Sequence, residues 1–244
     1  MNAPPPELIV VMPVHNEEGV IASVLEGWMA VLAGMGIAFQ IRLYDDGSTD
    51  RTSELIRKAA GSDPRVVLIE KENSGHGATI LRGYRESGDA EWLFQTDSDD
   101  EMPALPFREL WRLRKEADFV IGNRQSRAAP WSRKIVTRLS QWTVWLLFGG
   151  RIRDVNSPYR LMRNSLFREL FQAIPGDTFA PNLIISGFAS RSGLRVASVD
   201  VPVAVRRPGS ASMKRWSLFA VALRAFGETI AFRISGRMPI LMKK

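Results

Sequence analysis

The chain has 244 residues, 45% of them hydrophobic, and carries 33 Lys and Arg against 26 Asp and Glu for a formal charge of +7. That length and apolar content can close one good-sized core, as one domain or one domain with a tail, and exclude a wholly disordered chain. The absence of cysteine rules out disulfides, thiolate nucleophiles and zinc–thiolate sites and suits a reducing, cytoplasmic setting, while the basic surplus points to an anionic partner such as a nucleotide, a phospholipid or a nucleic acid.

Met1 to Pro6 is polar and Pro-rich, so no secretory signal is expected. Leu8–Val14 then reads as a buried strand, and Glu17–Leu32 as a helix with Val20, Val24, Leu25, Trp28 and Leu32 on one face. Phe39–Tyr44 is a second strand, followed by Asp45-Asp46-Gly47-Ser48-Thr49-Asp50. A helix starts near Asp50, whose side chain can cap the amide of Thr52 or Ser53. Val66–Ile69 reads as a third strand, Ala78–Ser87 as a helix and Glu91–Gln95 as a fourth strand. Such alternation indicates a parallel, nucleotide-binding type of sheet. A helix from beyond Pro103 to Glu116 and a strand over Asp118–Ile121 follow.

The pattern then changes. Trp131–Phe148 and Trp216–Ile234 are helix-length stretches that mix apolar, aromatic and basic residues. They suit helices lying in a membrane interface, or ordinary core helices. No run of about 18 apolar residues occurs, so a conventional spanning helix is not expected. The expected division is a catalytic domain over 1–215 and an amphipathic helical tail over 216–244.

The segment after the fourth strand, Thr96-Asp97-Ser98-Asp99-Asp100-Glu101, is the most informative. Carboxylates this close repel one another, and they need a compensating cation or full solvation. A divalent metal carrying a diphosphate answers that need; an ordinary acidic turn is the alternative. At the carboxyl edge of a parallel sheet, where open α/β folds bind ligands, the metal is favoured. Pro13-Val14-His15-Asn16-Glu17-Glu18 and Asp45 to Asp50 end neighbouring strands and would line the same crevice, with Gly47 letting the backbone pass close to a ligand.

These motifs, with Asn73-Ser-Gly-His-Gly-Ala78, Gly122-Asn-Arg124, Asp154-Val-Asn-Ser-Pro-Tyr-Arg160 and Arg206-Arg-Pro-Gly-Ser-Ala-Ser-Met-Lys214, occur in the order found in the inverting glycosyltransferases of family 2. Within that family the chain resembles the polyprenyl-phosphate, dolichyl-phosphate mannose synthase-like sugar transferases, from Leu8 to about Ser217. The resemblance implies a GT-A fold and a nucleotide-diphosphate sugar bound with Mg²⁺ or Mn²⁺. Pro13, His15, Glu17, Asp45 and Asp46 would hold base and ribose, with His15 where the family often has Tyr. Gly75 and His76 would approach the diphosphate, His76 standing where Lys is common. Asp97, Asp99 and Glu101 would hold the metal, Glu101 replacing the Gln of the mannose synthases.

For the acceptor phosphate the resemblance points to Arg124, Arg133, Thr137 and Arg138. Asp154 and Arg160 would flank the same cavity or pair with each other. Arg206, Arg207 and Lys214 would lie on a loop closing over the diphosphate, or form a solvated basic face. The implied activity is hexose transfer onto an isoprenoid phosphate by a peripheral protein at the inner face of the cell membrane. Transfer to a saccharide, protein or soluble acceptor, a catalytically silent scaffold, and a basic nucleic-acid-binding module are the rivals. The last leaves the acid-rich first half unexplained.

Overall fold

The computed structural model describes residues 5–88, 90–125, 131–149, 152–204 and 215–240; the side chains of 131–137, 139 and 215–222 lie outside that description. Its centre is a seven-stranded sheet. β1 (Leu8–Val14) lies between β2 (Phe39–Asp46) and β4 (Trp92–Gln95), with β3 (Val66–Lys71) beyond β2 at one edge. On the other side come β6 (Arg160–Arg163), β5 (Phe119–Gln125) and finally β7 (Val196–Pro202). β1 to β4 pair in parallel, β5 pairs in parallel with β7, and β6 runs antiparallel to both its neighbours. The sheet is thus mostly parallel, with one strand reversed.

Successive residues of a strand face opposite sides, and β1 shows why its sequence is an unbroken apolar run. Leu8, Val10, Met12 and Val14 enter the core on one face, beneath α1 (Ile21–Ala33), α2 (Thr52–Ser62) and α4 (Phe107–Leu113). Ile9 and Val11 enter the other, beneath α3 (His76–Arg85), α6 (Asn164–Ala173) and α7 (Pro181–Arg191). On that second face α5 (Trp131–Phe148) contributes Val144 and Phe148, and α8 (Arg215–Ile234) contributes Ala225 and Phe232. α8 packs on α5 and α7, and Arg233 Nε donates to the Leu147 carbonyl at 3.1 Å. Among the described residues no helix is long and apolar enough to cross a membrane.

The departures from the expected elements have local causes. The first helix begins at Ile21, because residues 17 and 18 are tied to the neighbouring loop. The Glu17 amide donates to Thr52 Oγ1 at 2.8 Å and the Glu18 amide to Asp50 Oδ2 at 3.2 Å. Asp50 caps as expected, accepting the Thr52 amide at 2.9 Å. The helix expected from Ala78 starts two residues earlier, and the one expected to reach Glu116 spans Phe107–Leu113. β6, α6, α7 and β7 have no counterpart among the expected elements. β6 is four residues long, too short to show a period; β7 is an edge strand whose Ala197, Val199 and Val201 face the core and alternate with exposed residues, a period-two signal that the expected elements leave out.

Candidate active site

The carboxyl ends of β1, β2 and β4 open into a cavity of about 310 Å³. Pro13, His15 and Glu17 line it from the β1 exit, Asp46 from β2, and Asn73, Gly75, His76 and Thr79 from the β3–α3 connection and α3. Asp97, Ser98 and Asp99 close it from the β4 exit. Eight of the residues named from sequence therefore share one cavity: Pro13, His15, Glu17, Asp46, Gly75, His76, Asp97 and Asp99.

Asp46 holds the floor together. Its Oδ1 accepts the Ser74 amide at 2.8 Å and its Oδ2 the Gly75 amide at 3.0 Å, so the loop before α3 is folded around one carboxylate. Lys71 Nζ pairs with the same Oδ1 and also donates to Ser74 Oγ at 2.7 Å and Thr79 Oγ1 at 3.1 Å. Lys71 was not singled out from sequence, yet the signal exists: β2 and β3 are neighbours, and Lys71 is the register partner of Asp46. Burial alone would raise the Asp46 pKa, but the donors from Lys71, Ser74 and Thr79 outweigh it and hold the group below its ordinary 3.8.

A folded-state pKa below the unfolded one contributes stability above the unfolded value, and that contribution is lost as pH falls through the folded value. Asp46→Asn should therefore lose the acid limb of the stability profile that this group supplies. At neutral pH it should cost about 3 kcal/mol, because it strands the buried Lys71 cation. Urea unfolding between about pH 3 and pH 7 checks both.

Asp45, one residue earlier, is used differently: it is buried and accepts the Ser48 amide at 2.9 Å and the Ser53 hydroxyl. It shapes the turn and does not line the cavity. Gly47, at φ +73°, packs against the Asn73 backbone, where an added Cβ would stand 3.0 Å from the amide nitrogen. His15 Nδ1 lies 3.0 Å from the Asp46 carbonyl oxygen, which orients the exposed ring beside the cavity. Asn16, at φ +55°, accepts the Thr49 amide at 2.8 Å and stitches the two acidic loops together.

At the β4 exit, Asp97 Oδ1 lies 3.7 Å from His76 Nε2, and Asp99 Oδ1 accepts the Glu101 amide at 3.1 Å. Glu101 follows the cavity wall but does not line it; its carbonyl accepts the Ala204 amide at 2.9 Å, where the chain leaves β7. Among the described residues no three His, Asp or Glu side chains gather into a cage for a metal ion. Asp97 and Asp99, the two carboxylates at the β4 exit, suit a small hard cation that takes the rest of its shell from phosphate oxygens and water.

Asp154 pairs with Arg124, not with Arg160. Arg124 Nε and Nη2 meet Asp154 Oδ2 and Oδ1 at 2.8 and 2.9 Å in a two-pronged fork, with charge from Asp97 and Glu101 acting on the same guanidinium. A guanidinium carries five N–H donors, so this pair fixes its plane while engaging two of them. Arg160 is fully buried and donates to the carbonyls of Ser157 at 3.0 Å, Asn182 at 3.2 Å and Val155 at 3.2 Å. Burial pulls its pKa down to about 10, which leaves it a cation at neutral pH. It ties the 155–157 loop to the first turn of α7. Arg138 is exposed on α5; the side chains of Arg133 and Thr137, and all of Arg206, Arg207 and Lys214, lie outside the described residues.

A mostly parallel sheet with a carboxylate-lined crevice at its carboxyl edge is the arrangement of the GT-A fold. The model for glycosyl transferase family 2 matches residues 9–173, and the chain belongs to that family. The undecaprenyl-phosphate 4-deoxy-4-formamido-L-arabinose transferase of Edwardsiella ictaluri is 31% identical over 199 residues, covering 80% of this chain and 58% of that protein. The protein of the same name from Pseudomonas paraeruginosa is 32% identical over 195 residues, covering 78% and 57%. The chain thus spans less than three fifths of the length of these curated relatives. Among solved structures, glucosyl-3-phosphoglycerate synthase from Mycobacterium tuberculosis, in complex with Mn²⁺, UDP-glucose and phosphoglyceric acid, aligns with a TM-score of 0.67. At 19% identity it covers 93% of this chain and 80% of its own, and shares the fold.

Proposed function

We propose that this chain is an inverting, metal-dependent hexosyltransferase that moves sugar from a nucleotide-diphosphate donor to a polyprenyl phosphate at the cytoplasmic face of a membrane. The observation that carries this is the convergence of Asp97 and Asp99 with the Asp46-folded loop on one cavity at the carboxyl edge of a GT-A sheet. The likeness over 80% of the chain to a transferase named for undecaprenyl phosphate supports the acceptor class.

In this reading Pro13, His15 and Glu17 hold base and ribose, and the start of α3, where Gly75 and His76 line the cavity, faces the diphosphate, with the Gly75 amide itself taken by Asp46. Asp97 and Asp99 hold Mg²⁺ or Mn²⁺, which when bound supplies Lewis-acid charge to the leaving diphosphate. Arg124, its plane set by Asp154, orients the acceptor. A phosphate monoester is ionised at neutral pH, so it attacks without a strong general base, and positioning is the protein's main contribution.

Contact with the membrane is assigned to α5. Arg138, Trp142, Trp145 and Leu146 are exposed and fall at helical spacing on one stripe, with Trp142 67% and Leu146 71% exposed. The two indoles meet edge to face at 5.7 Å, and Leu223 of α8 is also exposed, at 60%. A stripe that carries Arg138 and two Trp, left exposed among the described residues, suits an anionic lipid surface. Replacing both Trp142 and Trp145 by Ser should weaken co-sedimentation with anionic vesicles about tenfold or more and leave folding intact. Unchanged partitioning would remove α5 from the membrane contact.

A second reading, transfer to a soluble phosphorylated acceptor, is favoured by the bound phosphoglyceric acid of the mycobacterial neighbour. One assay separates the two. The protein is incubated with Mn²⁺ or Mg²⁺, a panel of UDP- and GDP-sugars and a short polyprenyl phosphate, and the lipid is analysed by mass spectrometry. Glycosylated lipid phosphate is the expected product. Nucleotide-sugar cleavage without lipid product moves the search to a soluble acceptor, and no donor binding or cleavage with any sugar ends the transferase reading.

A further inference from the structure

Behind Asp97 lies a set of buried polar side chains that the roles above leave unused. Gln95 ends β4 and is fully buried; Tyr84, near the end of α3, and Asn182, in the first turn of α7, are buried against it. Tyr84 Oη donates to Gln95 Oε1 at 2.7 Å, and Asn182 Nδ2 donates to the same oxygen at 3.0 Å. Gln95 Nε2 reaches Asp97 Oδ1 at 3.4 Å. Three elements distant in sequence thus converge on the back of one carboxylate.

Hydrogen-bond chemistry allows one orientation of this amide. A carboxylate only accepts, so the nitrogen end of Gln95 must face Asp97, and its oxygen then needs donors on the far side. Asn182 Nδ2 and the Tyr84 hydroxyl are those donors, the one hydroxyl proton lying between Gln95 Oε1 at 2.7 Å and Asn182 Oδ1 at 3.1 Å. Rotating the amide by 180° would set oxygen against carboxylate oxygen and nitrogen against the Asn182 amide. Burial pushes the Tyr84 hydroxyl well above its ordinary pKa, against the opposing charge of Arg160 and with a smaller contribution from Asp97, so it stays protonated and able to donate. Its ring is stacked on Phe171 at 4.8 Å. Asn182 is anchored through its own carbonyl, which accepts from Arg160 Nη1 at 3.2 Å, and Arg160 is the register partner of Gln95 across the β4–β6 pair.

We propose that Gln95, locked by Tyr84 and Asn182, is a positioning residue for Asp97. Its amide holds Oδ1, the oxygen that His76 also faces, and so sets the direction in which Oδ2 is presented. A fully satisfied buried network of this kind fixes a single geometry, where a solvated carboxylate would sample several. The inference rests on the proposed role of Asp97 toward an ion and a diphosphate.

The test compares wild type, Gln95→Met and Tyr84→Phe by calorimetric titration with UDP and GDP, each with and without Mn²⁺, alongside urea unfolding. In wild type Mn²⁺ should tighten nucleotide binding. In both variants that gain should shrink, by roughly tenfold for Gln95→Met and less for Tyr84→Phe, while metal-free binding stays within about twofold. Should Gln95→Met fail to fold, Tyr84→Phe carries the test, since it keeps the stacked ring and removes a single hydroxyl. A gain retained within about twofold in every folded variant overturns the proposal, as does a proportional loss of metal-free and Mn²⁺-dependent binding, which a merely structural role would give. Absence of any Mn²⁺ effect in wild type overturns the role of Asp97 itself, and this inference with it.

Discussion

Asp97→Asn is expected to cut sugar transfer about a thousandfold while leaving the unfolding midpoint nearly unchanged. The change keeps the shape of the side chain and removes its charge and one of its two oxygen donors. Asp97 lines the cavity with its side chain 31% exposed, so the fold loses little when it is neutralised. Asp100→Asn is the control. Asp100 belongs to the same acidic run but is exposed, does not line the cavity, and sits at φ +60°, a conformation that Asn adopts readily. If density of negative charge were what mattered, both changes would impair transfer; if the position of one carboxylate matters, Asp100→Asn is near wild type. Product formation across a Mn²⁺ series, with urea midpoints, distinguishes them. Full activity of Asp97→Asn at ordinary metal concentrations would sink the ion-binding role.

The same contrast explains how much of the site was legible in the sequence. β1 and β4 are buried along their whole length and give unbroken apolar runs, β2 alternates apolar with polar residues and β3 is a short apolar run at the sheet edge, so all four stand out and the loops at their carboxyl ends follow at once. Legibility falls where a residue's role depends on which way it faces. Asp45 and Asp46 are adjacent and chemically identical, yet the first is consumed by its own turn and the second organises the cavity floor. Nothing local distinguishes them; the register of β2 against β3 does, by setting Lys71 beside Asp46. The pairing of Asp154 with Arg124 is likewise a product of tertiary placement. So is the Tyr84–Gln95–Asn182 set, whose members read as an ordinary helix residue, a strand end and a loop-to-helix position. The reversed strand β6 was hidden because its four residues, Arg160–Arg163, carry a charge at each end and leave too little apolar length to signal a strand.

A single methyl group at Gly77 is expected to do more damage than most larger changes in the chain. By helix propensity alone, Ala should be better than Gly inside α3 by about 1 kcal/mol. The surroundings reverse that sign. A Cβ at Gly77 would lie 2.2 Å from the Phe179 carbonyl oxygen and 2.4 Å from that of Thr178, both backbone atoms that no side-chain rotation can clear. Neither side is free to yield. The Phe179 amide is held by Glu228 Oε2 of α8 at 2.7 Å, and the start of α3 is held through the Ser74 and Gly75 amides on Asp46. Relief requires a shift of about 1 Å in one of them, and overpacking of this kind costs about 1–3 kcal/mol, with a backbone clash placing Gly77→Ala at the upper end. The shift would move Gly75 and His76, so nucleotide affinity should fall by about tenfold alongside stability. Gly27→Ala, on the exposed face of α1 with no atom within 4 Å of the added carbon, should instead stabilise by about 0.5–1 kcal/mol. Urea unfolding of the two variants therefore sets one substitution against itself in two environments. If both stabilise, residues 178–179 do not lie against α3 in solution, and the tie from α8 through Glu228 to the cavity is broken with them.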